Sequence, residues 1–152
     1  MRTRILPLAL LFACAGPAGD APGGSAVLPG AFHYLARGKS GAPLLEGEID
    51  IRVADDSTVG GSWNIRWAPG ADTTALVGPQ VGSGVLRGSF TDSTLVLQLN
   101  PNMADNNVSL LAARGPKGYT GRWQWSTIAG PTAGGAFEAI WSDSLPTPRP
   151  VD

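Results

Sequence analysis

Glu46-Gly47-Glu48-Ile49-Asp50-Ile51-Arg52-Val53 decides the fold class. Gly47, Ile49, Ile51 and Val53 alternate with Glu46, Glu48, Asp50 and Arg52, a period of two that gives a β-strand one buried and one wet face. The next stretch repeats the pattern. After Asp55-Asp56-Ser57, a turn sequence, Val59, Gly61, Trp63, Ile65 and Trp67 share one face while Ser62, Asn64 and Arg66 share the other. The two runs read as a hairpin.

Working outward, the same period predicts strands at 31–37, 81–90, 94–100, 107–113, 119–127 and 133–141, eight in all, with no convincing helical spacing from about Leu28 to Trp141. Turn residues separate them: Thr91-Asp92-Ser93, Asn100-Pro101-Asn102, Gly115-Pro116-Lys117-Gly118 and Gly130-Pro131. The longest gap, Ala68 to Gln80, is the expected mobile loop. Connections this short favour antiparallel neighbours, and glycines inside strands allow tight coiling. The expected fold is an all-β, eight-stranded antiparallel up-and-down barrel, with a two-sheet β-sandwich as the alternative. A weak repeat supports two similar halves, since Ile51 through Trp63 aligns at equal spacing with Leu111 through Trp123, matching Gly61-Ser62-Trp63 to Gly121-Arg122-Trp123.

The amino terminus carries a different signal. Arg2 and Arg4 precede an apolar run from Ile5 to Ala13, too short for a permanent membrane span and of the length of a cleaved export signal. It ends in Leu11-Phe12-Ala13-Cys14, which resembles the lipobox of bacterial lipoproteins. The resemblance implies cleavage before Cys14, acylation of its sulfur and new amino group, and anchoring by more than one acyl chain, which is stable where a single chain is not. Ordinary cleavage at Ala13-Cys14-Ala15 is the competing reading. Cys14 is the only cysteine, so no intrachain disulfide is available. Ala15, in place of Asp after the cysteine, points to an outer membrane if the cell has two. The expected organisation is a signal at 1–13, a lipid-anchored linker at 14–27, the barrel at 28–142 and a Pro-rich tail at 143–152.

At 152 residues with 43% hydrophobic residues the chain suits one domain with a real core. Removing Arg2 and Arg4 from the 11 basic residues leaves nine against 12 acidic ones, so no basic patch points to nucleic acid. Trp63, Trp67, Trp123 and Trp125, with Phe137, fall on the face expected inside, alongside Phe32, Tyr34, Phe90 and Trp141. They are the candidate lining for a small apolar ligand, since eight strands leave room for one, and the same spacing suits rings that merely fill a core. The strands are similar in outline to avidin-type and lipocalin-type barrels, which also use Gly-x-Trp, here at Gly61-Ser62-Trp63 and Gly121-Arg122-Trp123. In lipocalins that motif sits on the first strand, which here reads Ala31-Phe32-His33-Tyr34, so no binding residue carries over.

Catalytic chemistry finds no footing. His33 is the sole histidine and faces the wet side between Phe32 and Tyr34, so neither a Ser-His-Asp order nor a Cys-His metal spacing can be built. Glu46, Glu48 and Asp50 form a solvated acidic strip. The loop Asn100 to Asn107 gathers oxygens suited to a hard cation, without the spacing of a calcium loop and with one carboxylate. A transmembrane barrel with Trp and Ile turned to lipid also satisfies the alternation, but the glycine-rich apolar faces and the lipoprotein-like terminus oppose it. No cofactor or metal is expected. The function expected is that of a non-enzymatic, lipid-anchored envelope protein that binds a small apolar ligand, or else a structural or protein-interaction module with a filled core.

Overall fold

The computed structural model describes residues 27–54, 57–91 and 94–142. The expected signal, Cys14, most of the linker and the Pro-rich tail lie outside them. Eight antiparallel strands follow one another round a closed barrel: β1 (Gly30–Arg37), β2 (Pro43–Val53), β3 (Thr58–Trp67), β4 (Gly82–Thr91), β5 (Thr94–Gln98), β6 (Asn106–Gly115), β7 (Gly118–Thr127) and β8 (Gly130–Trp141). The sandwich alternative is therefore set aside. Closure is made by the β1–β8 ladder, from Phe32 opposite Trp141 to Ala36 opposite Phe137.

Alternation places the core in the lumen. Phe32, Tyr34, Ala36, Leu45, Ile49, Ile51, Ile65, Leu86, Leu95, Leu97, Val108, Leu110 and Ala139 are all essentially without solvent exposure. The outward positions carry the charges. Arg66 donates to Glu46 at 2.8 and 3.1 Å, Arg52 pairs with Asp50 at 2.7 Å and Arg37 with Glu138 at 3.2 Å, so the acidic strip is partly neutralised. Apolar inside and polar outside is the inverse of a lipid-spanning barrel.

The two ends differ. At one, the turn end, β1 begins, β8 ends, and β2 gives way to β3, β4 to β5 and β6 to β7. The Tyr119 hydroxyl accepts from the Leu28 N–H at 2.7 Å, fastening the entering segment there. The other, the loop end, bears the connections 38–42, 68–81, 99–105 and 128–129. Strand β8 starts at Gly130, so Gly130-Pro131 belongs to the strand and not to the expected turn; a register shift after Trp125 accommodates it.

The repeat is present with a displacement that equal spacing hides. Ile49 pairs with Trp63 and Ile51 with Gly61, whereas Leu110 pairs with Trp123 and Ala112 with Gly121. The structural partner of Ile51 is thus Ala112. Leu111, which equal spacing aligns with Ile51, is 54% exposed while Ile51 is 1% exposed. A one-residue offset in a strand exchanges the faces.

Candidate functional site

Gly-x-Trp has the same physical job in both halves. Gly61 lies against the Asp50 carbonyl and Gly121 against the Leu111 carbonyl, so closely that a Cβ at either would strike backbone. Close approach draws the strands together. Two residues on, Trp63 crosses Gly84 of β4 and donates its indole N–H to the Leu99 carbonyl at 2.7 Å, while Trp123 crosses Gly135 of β8 and donates to the Arg37 carbonyl at 3.0 Å. A Cβ at Gly84 or Gly135 would come 2.9 Å from the indole nitrogen. These bonds sit at two of the barrel's three shortest ladders: β4–β5, β5–β6 and β1–β8 hold five residue pairs each, and β4–β5 and β1–β8 correspond across the repeat. The tryptophans latch two of these short seams.

All four candidate tryptophans lie on the interior side near the loop end, and none surrounds an empty lumen. Trp63 and Trp123 are buried; Trp67 and Trp125 are half-buried and pack on the core. Trp125 donates to Asn106 Oδ1 at 2.8 Å. Phe137 is buried 5.7 Å from the Tyr34 ring. Phe90 is half-buried against the core, and Trp141, expected inside, is 39% exposed at the turn end, edge-on to Phe32 at 5.2 Å.

The space the tryptophans could have enclosed is filled by the 68–81 connection. Val77 is buried in the core cluster, and Gly78, with φ of +68°, lies on the Trp125 ring where any side chain would clash. Gln80 has no solvent exposure; its amide donates to the Val77 carbonyl at 2.7 Å and its Oε1 accepts from the Tyr34 hydroxyl at 3.1 Å. Asn100 donates to the Pro79 carbonyl at 3.0 Å, leaving its own Oδ1 buried without a partner among the described residues. The loop expected to be mobile is a stopper held by buried polar bonds. Burial also pushes the Tyr34 hydroxyl far above its ordinary value, and Tyr119 is raised for the same reason, less so because Leu28 bonds to it and Arg114 is near. Gln80, Asn100 and Tyr34 form a buried network that alternation could not reveal, because Gln80 and Asn100 sit beyond strand ends.

The other sequence candidates resolve simply. His33 faces out, 3.3 Å from the Ser142 hydroxyl, beside a shallow polar groove of about 490 Å³ that includes Glu46, Glu48 and Arg66. In the Asn100–Asn107 loop, the side-chain oxygens of Asn106 and Asn107 accept from Trp125 and from the Asn100 N–H, so neither is offered to a cation. Among the described residues no group of three His, Cys, Asp or Glu could hold a metal. Open volume gathers instead at the loop end beside β8. One depression of about 700 Å³ runs between the 38–42 turn, Leu44, Pro69 to Leu76 and Thr132 to Gly134, with Trp123 at its floor; an adjoining one of about 1070 Å³ continues over the outer face past Arg122 and Leu111. No family model, no curated protein and no solved structure matches this chain.

Proposed function

We propose that this chain is a non-enzymatic, lipid-anchored protein of the bacterial envelope that works as an interaction module, its barrel serving as a filled scaffold and its loop end as the recognising surface. The observation that carries the reading is the stopper. Val77, Gly78 and Gln80 take the place a luminal ligand would need, and their polar atoms are already bonded to Tyr34 and to one another. A lipobox-like Cys14 adds the anchor. Because the described chain enters at the turn end, an anchored protein turns its loop end away from the bilayer. A second reading keeps the small apolar ligand but moves it from the lumen to the 700 Å³ rim depression, where Leu44, Leu76 and Trp123 supply apolar surface of ordinary ligand-site size.

Two measurements on the exported full chain test the proposal. Mass spectrometry should find the mature terminus at Cys14 with acyl chains, and Cys14→Ala should release the protein without altering its circular dichroism. A mature terminus at Ala15 or Gly16, unacylated, overturns the anchor. Intrinsic fluorescence of the five tryptophans should stay unchanged across a lipophilic library. A saturable shift that Gly78→Leu abolishes would show a luminal ligand and overturn the filled scaffold.

A further inference from the structure

The two latched seams differ in what lies beside them. At the β4–β5 seam, the 99–105 connection is bonded back to the stopper through Asn100 and Pro79. At the β1–β8 seam, the 38–42 turn bonds to itself, Gly38 donating to Ala42 and Gly41 to Gly38, both at 3.0 Å, and to Arg37, whose guanidinium donates to the Gly41 carbonyl at 3.4 Å, with no bond to the stopper among the described residues. The β1–β8 ladder ends at Ala36 opposite Phe137, but β8 continues to Gly130, paired there with β7 alone. Above the Trp123 latch, the edge from Pro131 to Gly134 therefore faces open volume. The two loop-end depressions share Gly38, Lys39, Trp123, Thr132, Ala133 and Gly134, which puts this half-strand along a common cleft.

Its chemistry is that of a strand acceptor. The side chains along the edge are small (Thr132, Ala133, Gly134), so another backbone can come within hydrogen-bonding distance. Pro131 has no N–H to offer, which fixes the pairing length at Thr132 to Gly134. The charge is one-sided. Lys39 and Arg122 line the cleft and neither has an ion pair among the described residues. Asp72 is its one lining carboxylate, and it is turned to the Thr74 N–H and hydroxyl at 2.9 and 2.6 Å, which also lower its pKa. On a chain of net negative charge this is a local cationic edge.

We propose that the cleft takes an extended acidic peptide segment of a partner protein, added as a strand along Thr132 to Gly134 with its carboxylates against Lys39 and Arg122. The inference rests on the interaction-module reading and names the class of its partner.

The test uses the full chain, ¹⁵N-labelled, with the synthetic hexapeptide Asp-Val-Thr-Val-Thr-Asp as probe. Amide resonances of 132–134 and of Lys39 should shift saturably. The same peptide with Lys for Asp should bind about fivefold more weakly or worse, Lys39→Glu should weaken the acidic peptide by a similar factor, and N-methylation of alternate peptide amides should abolish binding. Equal binding of the N-methylated peptide, shifts confined to another surface, or no binding at millimolar peptide each overturn the proposal, as does preference for anionic vesicles over the peptide. If the peptide fails while lipophiles still leave the fluorescence unchanged, this inference falls and the filled scaffold stands.

Discussion

Replacing Trp63 by Phe isolates what a seam latch contributes. The ring stays aromatic and in the core, but the indole N–H that reaches the Leu99 carbonyl at 2.7 Å is lost. Leu99 is 1% exposed, so its carbonyl gains no water in exchange, and a buried acceptor left unsatisfied costs about 1–3 kcal/mol. The smaller ring also gives up roughly 40 Å² of buried apolar surface, about 1 kcal/mol. The sum is about 2–4 kcal/mol, read as a lower urea midpoint at unchanged slope, or as a fall in Tm of about 8–16 °C for a domain of this size. Trp141→Phe is the matched control: Trp141 is 39% exposed, and its contact with Phe32 needs only an aromatic ring, so it should cost less than about 1 kcal/mol. Equal costs for the two substitutions would refute the latch and reduce Gly-x-Trp to generic packing.

The other predictions concern the seams' glycines, the stopper and the tyrosines. Gly135→Val places a side chain against the Arg37 carbonyl and the Trp123 indole and should destabilise by about 3 kcal/mol or more, whereas Gly41→Ala, with nothing within 4 Å and a positive φ, should cost about 1 kcal/mol in the same urea titration. Gln80→Ala leaves the Tyr34 hydroxyl and the Val77 carbonyl without their partner; amides of 75–78 and of residue 80 should then exchange at least tenfold faster, while those of β6 and β7 hold their rates. Both tyrosines of the chain are raised, so the folded state keeps protons the unfolded state releases above about pH 10. Their contribution is fully present below that pH and declines above it. Absorbance at 295 nm should therefore show the Tyr34 phenolate appearing only with alkaline unfolding, while Tyr119 titrates above its ordinary value, and ionisation of both tyrosines near pH 10 in the folded protein would contradict the burial.

Fold class was readable because alternation is a local property. Ile49 and Ile51 turn inward and Glu48 and Asp50 outward whatever lies next to them, and the eight strand positions followed to within a few residues. Boundaries failed where a local rule met a tertiary one. Pro131 reads as a turn residue, yet it fits in β8, which there pairs with β7 alone and leaves its other edge open, beside the register shift after Trp125. The 60-residue repeat misled at Ile51 and Leu111 because a displaced register leaves residue types similar while exchanging faces. The four tryptophans were placed on the correct side, but whether they enclosed space or filled it depended on Val77, Gly78 and Gln80, in a stretch with no periodicity to interpret. Nothing in the string Val77-Gly78-Pro79-Gln80 announces that its polar atoms find Tyr34, 46 residues away from Gln80.

Closure through the first and last strands sets a timing constraint on how the chain becomes a folded protein. Phe32 meets Trp141 only after 109 further residues exist, so a chain made or exported from its amino terminus spends roughly 5 to 20 s, at ordinary rates of synthesis, with the β1 edge bare. During that interval β1 offers Phe32, Tyr34 and Leu35 to any passing strand. Most of the barrel can zip as successive hairpins, but the Trp123 latch must wait for β8 to slide beneath it. A truncation before Gly130 would therefore remove more than one strand's worth of stability: it would leave an open sheet with two sticky edges, fit to join its neighbours into aggregates instead of closing on itself.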